Sequence, residues 1–554
     1  MMIENLKSIK VNVDGVTKQY DTGSTYYDVA KDFQDMYSYP ILLVKCGNEY
    51  HELFERIKPS ANIEFVTLKD RRGNSVYVNS LVFLLSYTVS ELFGKDAKII
   101  VNYSIDKGLY IETNFTLNSK KCDLIKDAML DNVRKNIPIV KCKVDRAEAI
   151  DYFKSKKDYS RIEILRYIAK DTITLYRLGN IYDYFFSKMV TSTCVLGMFD
   201  LHFLNDHGLV LLFPSLYYDG IKKYEHHPAL FTVYSYYKKW ADTMKISNVS
   251  DLNKIISSGR CDDIIRIEET IQSSRLLYIA KDIVDKKRDV KIILIAGPSS
   301  SGKTTTCKKL SMFLRIFGME PREISMDDYF VDRDMTPKDE NGENDFECLE
   351  AVNIKRFDKD VKKLLDGEEV LLPRYNFIRG VSEESEKKIS LGKNDVLIIE
   401  GIHALSDKIL KTIDNKRKFK IYISPLAVLS IDSHNRISTT DCRLIRRMVR
   451  DNRTRGYGPD KTLDAWKKVR LGEEKHIFPY QDAADVVFNT AFIYELSVLK
   501  TYVEPLLYSI DMDDPYYEEA IRLINLLGTV LPMTSDAVPS DSLLREFIGG
   551  SCFQ

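Results

Sequence analysis

A glycine-rich loop is the strongest chemical signal in the sequence. Residues 291–304 read KIILIAGPSSSGKT, an apolar run followed by the spacing Gly297-x4-Gly302-Lys303-Thr304 and a helical stretch. Glycines let successive backbone N–H groups converge on phosphate oxygens, and the next helix adds the positive end of its dipole. The pattern predicts an ATP-binding loop in which Lys303 neutralises phosphate charge and Thr304 ligates Mg²⁺. The residues expected to contact ATP here are Gly297, Ser299, Ser300, Ser301, Gly302, Lys303, Thr304 and Thr305.

Two further segments each carry acidic residues at the end of an apolar stretch. The first reads ISMDDYF over residues 324–330, and the second reads DVLIIEG over residues 395–401. Ligands bind at the carboxyl edge of open parallel sheets, so we expect Asp327 and Glu400 to lie near the loop. A carboxylate there takes a proton from an acceptor hydroxyl or ligates Mg²⁺; Asp327 is the candidate for both tasks and Glu400 for the metal. The neighbouring Asp328 is better interpreted as a helix cap or a solvated acid than as a proton acceptor or metal ligand.

An arginine-rich stretch follows, with six arginines in residues 443–455. Helical spacing predicts that Arg443, Arg447 and Arg450 share one face, which favours a phosphate clamp over a solvated lid helix. We expect the lid to span residues 443–460, with hinges at Gly456 and Gly458.

Composition limits the partners. The 554 residues carry 81 Lys+Arg and 81 Asp+Glu, so a dominant polyanion partner is disfavoured, although a local RNA-binding patch is not excluded. No apolar run approaches the ~18 residues of a membrane helix, and the opening MMIENLKSIKVNV lacks a signal-peptide core. We therefore expect a cytoplasmic protein without a membrane partner.

The front of the chain predicts two α+β domains. Residues 1–69 alternate strand and turn signals around one helix, and this β-grasp pattern resembles the TGS domain of threonyl-tRNA synthetases. Residues 70–225 contain NSLVFLLSYTVSELF and DKGLYIE, phrases similar to the second additional domain of those synthetases. The resemblance implies an editing site with His-x3-His on the first helix. Asn79 and Phe83 stand at those positions, so we expect a binding or docking module instead.

The remaining chain is expected to form a helical connector over residues 226–288, a P-loop α/β domain with a parallel sheet over 289–508, and a tail over 509–554. The tail is apolar for a free terminus, which predicts packing on the body of the protein or on another subunit of a homo-oligomer.

The phrases GPSSSGKT, SMDDYF, DENGENDFECLEA, LPRYNF, LIIEGI and RRMVRDNRTRG are similar, in order and spacing, to the uridine kinase and phosphoribulokinase family. The whole chain resembles bacterial nucleoside kinases with an N-terminal TGS domain. The resemblance implies that Asp327 takes the proton from a sugar 5′-hydroxyl, Glu347 binds ribose hydroxyls and Tyr375 packs on the base. It also implies that Arg447, Arg450 and Arg455 are lid arginines for ATP and substrate, with Arg450 and Lys303 catalytic.

Two departures from the family pattern leave the identity of the nucleobase open. Cys348-Leu349 replaces the usual His-Pro after the ribose carboxylate, and Gly380 replaces a base-reading histidine. The sequence therefore predicts a uridine- or cytidine-like substrate with an uncertain base. The alternatives are a kinase of the same fold that acts on a sugar phosphate or a pantothenate-like alcohol, and a translation-linked RNA-binding ATPase.

Overall fold

The N-terminal region is a small mixed sheet packed on one helix. The computed structural model describes residues 8–59, 61–168, 170–286, 290–340, 342–377 and 379–553. The first elements are β1 (Ser8–Val13), β2 (Val16–Asp21), α1 (Tyr26–Phe33), β3 (Ile41–Cys46), β4 (Glu49–Glu52) and β5 (Ala61–Thr67). The strand order is β2-β1-β5-β3-β4, with β1 parallel to β5, and the buried face of α1 closes the core. This is the predicted β-grasp arrangement.

A larger α+β region follows. Its elements are α2 (Arg71–Phe93), β6 (Ile99–Ile105), β7 (Gly108–Thr113), α3 (Ser119–Arg134), β8 (Ile139–Asp145), α4 (Arg146–Ser155), α5 (Tyr159–Tyr167), β9 (Thr172–Leu178), β10 (Ile181–Asp183), β11 (Asp200–Asn205) and β12 (Gly208–Leu212). They form two antiparallel sheets, β11-β12-β7-β6 and β10-β9-β8.

Helix α2 corrects one expectation from the sequence. We expected no apolar run long enough to cross a membrane, yet α2 has 23 residues and meets the length and composition of a membrane span. In its most apolar 18-residue window, 61% is buried inside the protein. Its middle, including Leu81 and Phe83, packs in the core of this region, so the helix has the burial of a core helix.

Three helices connect the halves, as the sequence predicts for residues 226–288. They are α6 (Pro228–Thr243), α7 (Val249–Ser257) and α8 (Cys261–Lys286). Asn248 caps α7, because its side chain accepts hydrogen bonds from the first-turn amides of Ser250 and Asp251.

A five-stranded parallel sheet forms the centre of the C-terminal half. Its elements, with those inserted between them, are β13 (Ile292–Ala296), α9 (Lys303–Ile316), β14 (Glu320–Ser325), α10 (Ile354–Leu365), β15 (Val370–Asn376), β16 (Val381–Ile389), β17 (Asp395–Glu400), β18 (Lys418–Ser424), α11 (Thr439–Arg455), α12 (Pro459–His476) and β19 (Val486–Asn489). The strand order is β14-β17-β13-β18-β19, with every pair parallel. Strands β13 and β17 are buried throughout, which explains their continuous apolar sequences.

The C-terminal tail packs on its own chain. It contains α13 (Glu495–Tyr508), α14 (Tyr517–Leu527) and the short α15 (Arg545–Ile548). Leu543, Leu544 and Phe547 are buried in the same apolar core as α9 and α11. The sequence left open whether the tail packs in cis or in trans, and these contacts are in cis.

Candidate active site

The phosphate-binding loop lies between β13 and α9, at the carboxyl edge of the central strand. A Cβ at residue 297 would lie 2.2 Å from the carbonyl oxygen of Ile423, so only glycine fits there. Ser300 has a φ of 59°, a conformation that non-glycine residues rarely adopt. The hydroxyls of Ser300 and Ser301 are buried and have no hydrogen-bond partner among the described residues. Unpartnered buried donors in a tight loop fit an anionic ligand such as a phosphate.

Lys303 folds over the loop. Its Nζ donates to the carbonyl oxygens of Gly297 at 3.1 Å and Pro298 at 3.4 Å. Thr304 is exposed in the first turn of α9. Both side chains lie at the start of α9, beside the loop.

The two acids lie on neighbouring strands and share one serine. The hydroxyl of Ser325 donates to Glu400 Oε1 at 2.8 Å and accepts from the backbone N–H of Asp327 at 3.3 Å. Ser325 at the end of β14 stands in register with Glu400 at the end of β17, which explains their approach. No sequence pattern singled out this serine beyond its place before Asp327.

Burial raises the pKa of both acids. Burial, followed by the charge of Asp327, raises the pKa of Glu400 to about 7. Burial also raises the pKa of Asp327, while the positive charges of Lys303, Arg455 and Arg450 oppose the shift. Three of the predicted cationic residues therefore act electrostatically on the predicted proton acceptor.

A buried aspartate organises the lid arginines. Asp451 accepts from Arg450 Nε at 3.0 Å, pairs with Arg447 Nε at 3.2 Å, and lies 3.5 Å from Arg455 Nη1. Arg447 also donates to the hydroxyl of Ser299 at 2.8 Å, so the lid helix touches the phosphate loop directly. Our sequence analysis missed Asp451, although a run of arginines on a half-buried helix needs a compensating acid. The proposed hinges Gly456 and Gly458 lie between α11 and α12.

Arg443 corrects the predicted clamp. It is 1% exposed, its guanidinium pairs with the fully buried Glu473, and its Nε donates to the carbonyl oxygen of Ser299 at 2.9 Å. Glu473 on α12 in turn accepts from the N–H of Ser299 at 3.2 Å. Arg443 is thus a buried structural contact to the loop, not a free phosphate ligand, because its charge is already paired.

Glu347, the predicted ribose ligand, packs against the second lid helix, α12. Burial raises the pKa of Glu347 to about 7, against the opposing charges of Arg447 and Lys303. Glu347 approaches α12 at Gly472, where a Cβ would lie 2.3 Å from the Glu347 Cβ. Glu347 therefore packs against α12.

Tyr375 belongs to an aromatic group. Its ring centroid lies 5.5 Å from that of Phe330 and 5.0 Å from that of Phe377, and its hydroxyl is buried without a hydrogen-bond partner among the described residues. At Gly380, which replaces the expected histidine, a Cβ would lie 2.6 Å from Arg333 Nε. Arg333 therefore fills the space beside this position, a residue that the sequence analysis did not select.

His403 is a further residue that the sequence did not point to. It follows Glu400 by three residues, is 2% exposed, and its Nε2 has no hydrogen-bond partner among the described residues. Burial, followed by the charge of His476, lowers the pKa of His403 to about 4, while the backbone of Cys348 and Glu347 opposes the shift. A neutral imidazole therefore borders the segment that carries Glu347.

Thr305, like Ser299, has polar groups that are already engaged within the chain. Its hydroxyl donates to Glu546 Oε2 at 2.7 Å, and its backbone N–H donates to the same oxygen at 3.2 Å. Glu546 lies in the tail, more than two hundred residues from the loop in sequence, so no local pattern predicts the contact.

The described residues contain no group of three or more His, Cys, Asp and Glu side chains that could hold a metal ion by themselves. The carboxylates of Asp327 and Glu400 and the hydroxyl of Thr304 are ligands of the kind that Mg²⁺ prefers. Phosphates and water would complete the oxygen shell of the ion. A loop for phosphate, acids at the sheet edge and a cationic lid helix define the C-terminal half as a P-loop kinase domain.

Comparison with known proteins agrees with this class. Residues 292–495 match the model of the Phosphoribulokinase / Uridine kinase family. The N-terminal part is similar to threonine–tRNA ligases: 28% identity over 191 residues with that of Desulforamulus reducens and 25% over 190 residues with that of Francisella tularensis subsp. tularensis. These matches cover 33% and 34% of this chain and 30% of each relative, so the chain spans under a third of their length.

Solved structures give low similarity scores. A structure described as a possible uridine kinase from Bacillus stearothermophilus has 21% identity and a TM-score of 0.27, and the match covers 39% of this chain and 98% of that one. The YGR205w protein has 12% identity and a TM-score of 0.25, with 37% and 84% covered.

Proposed function

We propose that this protein is a kinase that transfers the γ-phosphoryl group of ATP to the 5′-hydroxyl of a nucleoside. The observation that carries the proposal is that Asp327 and Glu400 meet at Ser325 beside the phosphate-binding loop, which Arg447 of the lid helix also contacts. The positive charges of Lys303, Arg455 and Arg450 lower the pKa of Asp327 against the effect of burial. A general base surrounded by fixed positive charge suits an in-line phosphoryl transfer, in which the negative charge spreads over the transferred group.

The proposed reaction assigns a task to each residue, and Asp327 has two. Asp327 accepts the proton of the acceptor hydroxyl as its oxygen bonds to the γ-phosphorus, and the bond from that phosphorus to the bridging oxygen of ADP breaks. Lys303 and the lid residues Arg447, Arg450 and Arg455 stabilise the negative charge. Thr304, Glu400 and Asp327 would hold Mg²⁺, which neutralises charge on the phosphates.

The proposed acceptor site combines a carboxylate with an aromatic wall. Glu347 would accept hydrogen bonds from two vicinal hydroxyls of a ribose, and the ring of Tyr375, held by Phe330 and Phe377, would pack against the base. Gly380 offers no side chain to read the base, so discrimination between bases would depend on other groups, including Arg333.

The test is a substrate panel. Purified protein is incubated with ATP, Mg²⁺ and each common nucleoside, or with pantothenate or a sugar phosphate, and ADP and the phosphorylated product are quantified. We expect a nucleoside 5′-monophosphate formed in equal amount with ADP. Phosphorylation of only a sugar phosphate or pantothenate would contradict the nucleoside assignment, and ATP hydrolysis stimulated only by RNA would favour the RNA-binding alternative.

A further inference from the structure

The C-terminal tail places a carboxylate in the phosphate site. Glu546 Oε2 accepts two hydrogen bonds from Thr305, one from the hydroxyl at 2.7 Å and one from the backbone N–H at 3.2 Å. Thr305 lies in the first turn of α9, directly after Lys303 and Thr304. The groups that hold this carboxylate are thus of the kind that bind a phosphate oxygen at a helix start.

The negative charge of Glu546 reaches the reacting acids. It is among the charges that raise the pKa of Glu400. A polyphosphate on the same loop would bring several negative charges to the same region. The phosphate and the carboxylate would therefore compete for the same hydrogen-bond donors and repel each other.

The lid helix holds the tail in this position. Arg453 Nη2 donates to the backbone carbonyl of Glu546 at 3.0 Å, and Arg453 Nε donates to that of Phe547 at 3.1 Å. The ring of Phe547 lies under the guanidinium of Arg446, with 5.0 Å between the guanidinium carbon and the ring centroid. The same helix carries the arginines assigned to ATP, so the position of the tail is coupled to that of the lid.

We propose that Glu546 is an internal competitor of the nucleotide. Its carboxylate occupies the anion position at Thr305 in the free protein, and nucleotide binding displaces it. The displacement involves the short helix α15: Leu543 and Leu544 anchor the preceding residues in the core, while Glu546 is partly exposed and its movement must also loosen the buried Phe547. This inference rests on the proposed function only in taking a nucleoside polyphosphate as the ligand of the loop.

ADP binding provides the test, since it needs neither an acceptor nor phosphoryl transfer. Calorimetry is used to compare the wild type with Glu546→Gln, which keeps the shape of the side chain and removes its charge. We expect the variant to bind ADP about tenfold more tightly, because the hydrogen bonds that ADP must replace are no longer charge-assisted. Equal or weaker binding by the variant would overturn the proposal.

Two further measurements keep the test specific. Asp536→Asn removes an exposed carboxylate from the same tail away from the loop, and its ADP affinity should equal that of the wild type. If Glu546→Gln does not fold, Arg453→Ala removes both hydrogen bonds that hold the tail and should also tighten ADP binding.

Hydrogen exchange measures the displacement itself. Backbone amides of residues 545–549 in the wild-type protein should exchange several-fold faster when ADP is saturating than in its absence. Unchanged or slower exchange would show that the tail stays in place and would overturn the proposal. A protein that shows this response but phosphorylates no nucleoside would contradict the proposed function alone.

Discussion

Burial moves the pKa of Glu347, the proposed ribose ligand, into the neutral range. Glu347 is flanked by Arg447 and Lys303, yet burial outweighs these cations and raises its pKa to about 7. It is therefore protonated for the most part at pH 6 and ionised at pH 8. An ionised carboxylate accepts hydrogen bonds from two hydroxyls more strongly than a protonated carboxyl group does.

This shift predicts a pH dependence of substrate binding. The dissociation constant of the nucleoside, measured by calorimetry without ATP or metal, should fall several-fold between pH 6 and pH 8. Glu347→Gln should bind with nearly the same affinity at both pH values, because the amide does not titrate in this range. A variant that keeps the wild-type pH dependence would remove Glu347 from the proposed role.

Single residues were predicted well where a strand or loop pattern fixes their position. The loop from Gly297 to Thr304 and the acids Asp327 and Glu400 fall into this group, because the ends of parallel strands meet at one edge. The partners of the arginines were not predicted. Glu473 and Glu546 meet the loop only through the folded chain, and Arg443 looked like a ligand because its partner is thirty residues away.

At the scale of elements, the lid helices and the loop are joined at one serine. Ser299 donates its backbone N–H to Glu473, accepts at its carbonyl oxygen from Arg443 and accepts at its hydroxyl from Arg447. Arg470 adds a second contact to Glu473 at 2.8 Å. Helices α11 and α12 therefore hold the loop backbone through buried charged pairs.

Glu473→Gln should destabilise the protein by about 3 kcal/mol, since removing one partner leaves the Arg443 charge buried and unpaired. The midpoint of urea unfolding, followed by tryptophan fluorescence, measures the effect, because Trp466 lies on α12 beside Arg443. The matched control is Glu474→Gln, whose carboxylate is partly exposed and pairs with Arg470 at 2.9 Å. We expect a loss below about 1 kcal/mol there. Equal losses for the two variants would contradict the account.

Element types were largely predictable from the sequence, because apolar runs such as residues 292–296 and turn pairs such as Asp14-Gly15 are local signals. The prediction that no segment is long and apolar enough to cross a membrane was wrong for α2, because it counted only uninterrupted apolar runs. Helix α2 tolerates Asn79 and Ser80, whose polar groups are satisfied within the folded region: the Ser80 hydroxyl donates to the carbonyl oxygen of Val76 at 2.7 Å.

At the scale of the whole molecule, the synthetase-like half contacts the kinase half through ion pairs. Arg71 and Arg72 at the start of α2 pair with Glu519 on α14 at 3.2 and 2.9 Å. Arg522, one turn along α14, pairs with Asp441 in the first turn of the lid helix at 2.6 Å. The N-terminal half therefore supports the base of α11, a connection that no sequence motif indicated.

A histidine joins the halves at a second place and predicts a pH dependence of stability. His227 at the start of α6 lies 2.6 Å from Asp482 of the kinase half and 3.4 Å from Asp106 of the β6–β7 turn. Hydrogen bonding to Asp106, followed by Asp482, raises the pKa of His227 above its usual 6.5. A raised pKa in the folded state stabilises the protein fully below about pH 6.5, and the stabilisation is lost as pH rises through the folded-state pKa.

The difference in Tm between the wild type and His227→Gln should therefore be largest at about pH 6 and should shrink steadily toward about pH 9. Thermal unfolding followed by circular dichroism measures both proteins in the same buffers. The solvent-facing His202→Gln serves as the control and should leave the Tm difference flat across the range. A difference for His227→Gln that grows with pH would contradict the assigned ion pairs.

The central claim is that Asp327 acts as the base of a phosphoryl transfer in the C-terminal half. The most direct measurement compares the rate of nucleoside phosphorylation by Asp327→Asn with that by Asp328→Asn, whose carboxyl group accepts instead from the backbone of Tyr375. We predict at least a hundredfold loss of turnover for Asp327→Asn with ATP affinity retained, and a much smaller loss for Asp328→Asn. Wild-type turnover by Asp327→Asn, or equal losses for the two variants, would contradict the account.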